Sequence, residues 1–218
     1  PWGEMTYLDY RKRLEFGQPE FDAIAAECQR LDLLWTASVW DQPSLEFLLA
    51  YDPPFLKIPS ACLTDIALLE ACRRSGRPVV ASTGMSTESQ IDRAVALLGP
   101  DRLILLHCTS TYPASSNELN LRVIPWLRER FHVPAGYSGH HPGIWDGVCA
   151  AVLGACLIEK HFTLDRTAPG TDHAASLEPG GFARMVRYIR NWEVAQGDGI
   201  KVVYDSERAV LHKLRRFP

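Results

Sequence analysis

Residues 134–163 read PAGYSGHHPGIWDGVCAAVLGACLIEKHFT, and this stretch decides the fold. Its two ends, 134–140 and 155–163, have the composition of strands, and the segment 144–153 between them is helix-like. Gly154 stands where that helix should end before the next strand begins. A strand, a helix and a second strand in succession predict two parallel strands joined by a covering helix.

The same alternation extends from this stretch in both directions. Four further strand-like runs precede it, at 33–40, 55–60, 78–83 and 102–109. Helix-like segments lie before, between and after the strand-like runs, at 20–31, 44–51, 63–74, 87–98, 119–131 and 182–196. Six βα units in one series predict a parallel sheet covered by helices.

Two architectures fit this order. One is a doubly wound open sheet, and the other is a (β/α)8 barrel (TIM barrel) without its first strands. A complete barrel takes about 250 residues, so 218 residues with six strand-like runs fall short by about two strands. No GxGxxG motif follows a strand-like run, which counts against a dinucleotide-binding sheet. No linker divides the chain, so we expect one domain over residues 1–218.

Composition excludes several classes of protein. The chain has 23 Lys and Arg residues against 26 Asp and Glu residues, a formal charge of −3. This balance excludes a nucleic-acid binder that works by neutralising phosphates. No apolar run approaches the roughly 20 residues of a membrane span, and no secretory signal is visible, so we expect a cytoplasmic protein with no membrane partner. Its six cysteines include no CxxC pair and are expected to be buried free thiols.

The strongest functional signal lies at the ends of the last two strand-like runs. By the two-residue period of a strand, Ser138 and His140 share one face of the first, and Glu159 and His161 share one face of the second. Neighbouring strands lie about 4.8 Å apart, so both imidazoles can reach one ion and leave positions open for substrate. The alternative is a pair of satisfied core histidines. We favour the metal site, because an inward carboxylate such as Glu159 is costly without a purpose.

The other strand ends carry groups that suit a phosphate monoester. A lysine, several hydroxyls and exposed backbone N–H groups are the donors that such a ligand needs. They fall at the ends of four strand-like runs, as Lys57 with Ser60, Ser82 with Thr83 and Gly84, Ser110 with Thr109 and Tyr112, and Ser138. Asp172, in the loop after the last run, could bind sugar hydroxyls or could merely stabilise its turn.

These motifs resemble the sialic acid synthase (N-acetylneuraminate synthase) family, which includes the related legionaminic and pseudaminic acid synthases. The resemblance runs in order over nearly the whole chain. It is carried by KIPS at 57–60, STGMS at 82–86, HCTSTYP at 107–113, NLR at 120–122, GYSGH at 136–140, IEKHFTLD at 158–165, and the positions Gly170, Asp172-His173 and Ser176-Leu177-Glu178-Pro179.

The resemblance implies a (β/α)8 barrel that condenses phosphoenolpyruvate with an N-acetylated hexosamine, such as N-acetylmannosamine or its 6-phosphate. The products are a 2-keto sugar acid and inorganic phosphate. A divalent ion, Mn2+ or Mg2+, would be held by His140 and His161. Substrate would be bound by Lys57, Ser60, Ser82, Ser110 and Ser138, and the catalytic residues would be Glu159, Tyr112 and Asp172. A homodimer is expected by resemblance only.

The chain also departs from the family pattern. Nothing in it corresponds to the family's first two strands, and residues 2–16 match the loop that follows the second, so we expect a barrel incomplete at its N-terminus. We expect no C-terminal antifreeze-like domain after Phe217. Cys62 stands where many members have an acidic residue that helps to bind the sugar.

Two other functions stay open. One is a metal-dependent aldolase or sugar-phosphate isomerase on the same scaffold, and the other is an inactive fragment that only binds a metal or a partner.

Overall fold

The computed structural model describes residues 6–217 and is built around one parallel sheet. Its five strands pair in chain order, each with the next. They are β1 (Leu56–Ile58), β2 (Val79–Ser82), β3 (Leu103–Cys108), β4 (Ala135–Gly139) and β5 (Ile158–Lys160). A doubly wound sheet reverses its strand order at a switch point, and this sheet does not. The fold is therefore the barrel alternative, and the five strands form part of a (β/α)8 barrel.

Helices connect the strands and flank the sheet. They are α1 (Tyr7–Leu14), α2 (Gln18–Arg30), α3 (Gln42–Leu49), α4 (Ile66–Arg74), α5 (Glu88–Leu98), α6 (Val123–Phe131), α7 (Trp145–Val152), α8 (Pro179–Ala195) and α9 (Asp205–Leu214). Helix α1 falls within the stretch 2–16 that was matched to a loop, and residues 2–5 of that stretch lie outside the described residues. Among residues 6–217, no helix has the length and apolar character needed to cross a bilayer.

Side-chain caps fix where the central helices begin. The Asp41 carboxylate accepts the N–H of Ser44 at the start of α3, and the Asp65 carboxylate accepts the N–H of Leu68 in α4. Thr87 caps α5 by accepting the N–H of Gln90. Such caps satisfy N–H groups that a helix leaves unpaired in its first turn. The caps at Asp65 and Thr87 start α4 and α5 soon after β1 and β2 end.

The prediction of a strand at 33–40 is wrong. This segment makes only an isolated bridge between Ser38 and Lys57, with the N–H of Val39 donating to the Lys57 carbonyl at 2.9 Å. The next two N–H groups, of Trp40 and Asp41, instead donate to the Ser44 hydroxyl at 2.9 and 3.0 Å. The start of α3 therefore takes the backbone donors that a longer strand would need.

The core lies between the helices and the outer face of the sheet. Side chains of alternate strand residues point outwards into it, among them Leu56, Ile58, Ala81, Leu105 and Tyr137, each no more than 1% exposed. The helices contribute the other half of this core through Leu69, Cys72, Ile91, Ala94, Leu98, Ile124, Leu127 and Ala150. The two-residue period then turns the intervening strand residues towards the inner face.

The expectation of buried thiols holds for half of the cysteines. All six are free, and Cys62, Cys72 and Cys108 are buried, while Cys28 is half-buried and Cys149 and Cys156 are exposed. The last two lie on the outer side of α7 and just before β5, where the described residues leave helix and strand surface uncovered.

Gly136 in β4 provides a test of this packing. A methyl group there would overlap the Leu157 carbonyl oxygen and lie 2.6 Å from Cδ2 of Leu106, so Gly136→Ala must push neighbouring strands apart. We expect a loss of roughly 1–3 kcal/mol in the free energy of unfolding, as for other overpacked cores, measured by urea denaturation. Gly180→Ala is the matched control, because a methyl group there meets nothing within 4 Å. Equal stability of the two variants would contradict the packing described for β4.

Candidate active site

The carboxyl ends of the strands enclose one cavity of about 500 Å3. The ten residues to which the resemblance assigns a metal, substrate or catalytic role all line it: Lys57, Ser60, Ser82, Ser110, Tyr112, Ser138, His140, Glu159, His161 and Asp172. Thr83, Gly84 and Thr109, which the sequence also marked for phosphate, are not among its lining residues. In barrels of this type the active site lies at this end of the strands. The structure thus brings these ten residues together, and the role of each of them stays a prediction.

The register of β4 and β5 places the two histidines side by side. Ser138 lies opposite Glu159 and Gly139 opposite Lys160, so His140 and His161 follow as the next pair. Their ring centroids are 5.1 Å apart and their planes are inclined by 79°. The ring of Tyr112 packs against both, with its centroid 4.2 Å from that of His140 and 5.6 Å from that of His161.

Hydrogen bonding orients the ring of His140. Its Nδ1 lies 2.9 Å from the Thr109 carbonyl oxygen, which can only accept, so Nδ1 carries a proton and, in the neutral ring, Nε2 is the nitrogen with the free lone pair. Burial lowers the pKa of His140, but contacts with the Cys108 thiol, 3.8 Å away, and with the Thr109 carbonyl outweigh burial and leave the pKa raised. Fixing one nitrogen in this way is how proteins orient a metal-binding imidazole.

The surroundings of His161 favour its neutral form. Burial lowers its pKa, and so does the neighbouring His140, while Asp172 and Glu159 oppose the shift. The Asp172 carboxylate lies 3.7 Å from Nδ1 of His161. A neutral imidazole beside a carboxylate is a competent ligand for a divalent ion.

A chain of polar contacts crosses the inner face of the sheet. Lys57 is only 7% exposed, and its Nζ donates to the Ser82 hydroxyl at 2.8 Å and lies 3.5 Å from a Glu159 carboxylate oxygen. The other carboxylate oxygen of Glu159 accepts the Ser138 hydroxyl at 2.8 Å. Lysine and carboxylate therefore balance each other inside the cavity, which lowers the cost of burying either charge.

Ser60 and Ser110 converge on Gly84. The Ser60 hydroxyl accepts the N–H of Gly84 at 3.0 Å. A methyl group at Gly84 would overlap the Ser110 hydroxyl and come within 2.8 Å of the Ser60 hydroxyl. Only glycine therefore allows these two hydroxyls to approach the same point of the backbone.

The rim of the cavity is formed by the loop that follows β5. After the strand, the Leu177 N–H donates to the His161 carbonyl at 2.8 Å, and the Thr163 N–H donates to the Leu177 carbonyl at 2.9 Å. These bonds close the intervening loop at its base and hold Thr171 and Asp172 over the cavity. Tyr112 faces them from the loop after β3; burial, with contributions from nearby acidic groups, raises its pKa.

Sequence reasoning missed two contributors to the site. Cys108 was treated as an ordinary buried thiol, yet it lines the cavity and contacts His140. The alternation of side chains along β3 could have revealed Cys108. His107 points away from the cavity, with its Nε2 2.6 Å from the Leu119 carbonyl oxygen. Cys108, the next residue in the strand, must therefore point inwards. The Thr109 carbonyl was missed because a main-chain acceptor leaves no mark in a sequence.

Comparison with known proteins defines the class of protein. The profile described as the NeuB family matches residues 1–201. The chain belongs to the NeuB family. This confirms the resemblance to the sialic acid, legionaminic acid and pseudaminic acid synthases that its motifs predicted.

Individual relatives agree with this assignment. The N-acetylneuraminate-9-phosphate synthase of Homo sapiens is 39% identical over 217 residues, 98% of this chain and 60% of that protein. The N,N'-diacetyllegionaminic acid synthase of Legionella pneumophila is 35% identical over 218 residues, 97% of this chain and 61% of that protein. The chain thus spans about three fifths of the length of these curated relatives.

A solved structure supports the fold. The crystal structure of the N-acetylneuraminic acid (sialic acid) synthetase from Leptospira borgpetersenii, in complex with citrate, superposes with a TM-score of 0.84 at 36% identity. The match covers 94% of this chain and 74% of that one. The barrel prediction is therefore confirmed at the level of the fold.

Proposed function

We propose that this chain forms the condensing site of a synthase that joins phosphoenolpyruvate to an N-acetylated amino sugar. The sugar is N-acetylmannosamine, its 6-phosphate or a related hexosamine, and the products are a 2-keto sugar acid and inorganic phosphate. The observation that carries the proposal is the convergence of all ten candidate residues on one cavity in a NeuB-family chain. A single synthase domain, a cytoplasmic location and a homodimer stay predictions.

Phosphoenolpyruvate has two anionic groups, and the floor of the cavity supplies matching donors. Lys57 is the buried cation, its Nζ donates to the Ser82 hydroxyl, and Ser138 adds a second hydroxyl from β4. The hydroxyls of Ser60 and Ser110, which both lie close to Gly84, add two further groups. A fixed ammonium group with several hydroxyl donors suits a phosphate or carboxylate, because charge-assisted hydrogen bonds are about twice as strong as neutral ones.

The two histidines fit a divalent ion of the Mn2+ or Mg2+ kind. Among the described residues there is no group of three or more His, Cys, Asp or Glu side chains that could hold a metal ion, so the protein would supply the Nε2 of His140 and the ring of His161. Such a site leaves most coordination positions for substrate and water, as catalysis requires. When bound, the ion would act as a Lewis acid that polarises the sugar aldehyde.

The side chains around this position then have distinct tasks. In the reaction, C3 of phosphoenolpyruvate bonds to the aldehyde carbon, the aldehyde oxygen takes up a proton, water adds at C2, and phosphate leaves as its C–O bond breaks. Glu159, held by Ser138 and Lys57, is placed to accept the proton of the added water. Tyr112 and Asp172, on opposite loops above the cavity, would orient the sugar.

The first prediction concerns the products. The natural protein that carries this chain should release inorganic phosphate from phosphoenolpyruvate only when an N-acetylated hexosamine and Mn2+ or Mg2+ are both present. A colorimetric phosphate assay measures this, with the 2-keto acid product followed by mass spectrometry. An aldolase or a sugar-phosphate isomerase would release no phosphate under these conditions, and a chain that only binds would release none with any sugar. Either result would overturn the proposal.

The second prediction concerns His161. His161→Ala removes one of two protein ligands, so we expect the affinity for Mn2+ to fall by more than the roughly 10- to 100-fold that outer residues contribute. Isothermal titration with Mn2+ measures the dissociation constant without any turnover. His212→Ala, on the exposed face of α9, is the matched control and should bind Mn2+ like the parent protein. Unchanged affinity in His161→Ala would refute the ligand assignment.

The third prediction concerns Lys57. Lys57→Met keeps the length of the side chain but removes the buried cation, which costs roughly 2 kcal/mol or more when a charged partner is involved. We expect the KM for phosphoenolpyruvate to rise by about 30-fold or more, with a smaller change in the KM for the sugar. Lys201→Met, at an exposed position, is the control. Equal effects on both substrates would argue against an anion-binding role.

A further inference from the structure

Directly behind the two histidines lies a buried polar cluster that the proposed chemistry does not use. It consists of Tyr137 on β4, Asp146 in the first turn of α7 and Lys160 on β5. The side chains of Lys160 and Asp146 are both 0% exposed, and their Nζ and Oδ2 atoms are 2.9 Å apart. The Tyr137 hydroxyl donates to the same Asp146 oxygen at 3.0 Å. One carboxylate oxygen therefore receives donors from two neighbouring strands.

The cluster touches the chain next to each histidine. Lys160 immediately precedes His161, and its Nζ also donates to the carbonyl of His141 at 2.7 Å. His141 immediately follows His140. Lys160 therefore ties the end of β4 to the end of β5 through residues that are adjacent in the chain to His140 and His161. Because side chains alternate in a strand, this tie lies on the helix side of the sheet and leaves the cavity free.

Stability alone does not account for such a pair. Removing two charges from water costs several kcal/mol per ion, and well-packed apolar residues often replace a buried ion pair without loss. The cluster is also incompletely satisfied, since Oδ1 of Asp146 and Nδ1 of His141 are buried without a hydrogen-bond partner in the described part of the chain. We therefore expect the buried Lys160–Asp146 pair to have a role other than stabilising the fold.

We propose that Tyr137, Asp146 and Lys160 are positioning residues that hold His140 and His161 at the separation one divalent ion requires. The proposal rests on the proposed function, since it assumes that the two histidines share a metal. The cluster acts through the backbone. Lys160 fixes the His141 carbonyl, Asp146 fixes Lys160 from α7, and Tyr137 fixes Asp146 from β4. Without these contacts the strand ends beyond the last ladder pair, Gly139 with Lys160, would be free to separate.

The test measures Mn2+ binding by isothermal titration and by the electron paramagnetic resonance spectrum of bound Mn2+, with no substrate present. The double variant Asp146→Asn with Lys160→Met removes both charges together, so neither is left unpaired in the interior. We expect it to stay folded and to bind Mn2+ about 10- to 100-fold more weakly, the range for residues that orient metal ligands. Tyr137→Phe removes a single hydroxyl and should weaken binding by roughly tenfold.

Leu69→Ala is the control for stability. Leu69 is buried in α4, far along the sheet from β4 and β5, so this variant should lower the melting temperature and leave the affinity for Mn2+ unchanged. If Tyr137→Phe and the double variant bind Mn2+ like the parent, or if Leu69→Ala loses as much affinity as they do, the positioning role is overturned. If the parent protein binds no Mn2+, the proposed metal site fails, and this inference fails with it. If the double variant does not fold, the Mn2+ affinity of Tyr137→Phe alone decides whether the positioning role holds.

Discussion

The site depends on the parallel register between β4 and β5. With Ser138 opposite Glu159 and Gly139 opposite Lys160, the next residues on both strands are histidines on the same face. A slip of one residue would turn one imidazole towards the helices and the other towards the cavity, because side chains alternate in a strand. Strand pairing therefore sets which face His140 and His161 share, and the contacts around them then set the distance between their rings.

The inner face of this sheet carries polar groups at the carboxyl ends of its strands, which is costly unless those groups are paired. Here Lys57, Ser82, Glu159 and Ser138 satisfy one another in a line that joins four of the five strands. The charge is thus already balanced before a ligand arrives. An incoming anion would compete with Glu159 for Lys57.

The sequence predicted much of this because its signals are local. Alternation along β4 and β5 was enough to place Ser138, His140, Glu159 and His161 on one face. What it could not predict depends on contacts that only the folded chain shows, whether their partners are near or distant in sequence. The run at 33–40 has strand composition, but at its end the N–H groups of Trp40 and Asp41 donate to the Ser44 hydroxyl and are not available to a neighbouring strand. Lys160 and Asp146 are 14 residues apart in the chain, and only the packing of α7 on β5 shows that they meet.

The loop after β5 begins and ends at the same place, since Leu177 pairs with the backbone of His161 and Thr163. A segment closed at its base can exchange residues at its tip without shifting the strand beneath it. Thr171 and Asp172, which overhang the cavity, sit on such a tip. Sequence differences among related chains would then concentrate at the tip of this loop. Such differences would change the rim of the cavity and leave the strand ends beneath it in place.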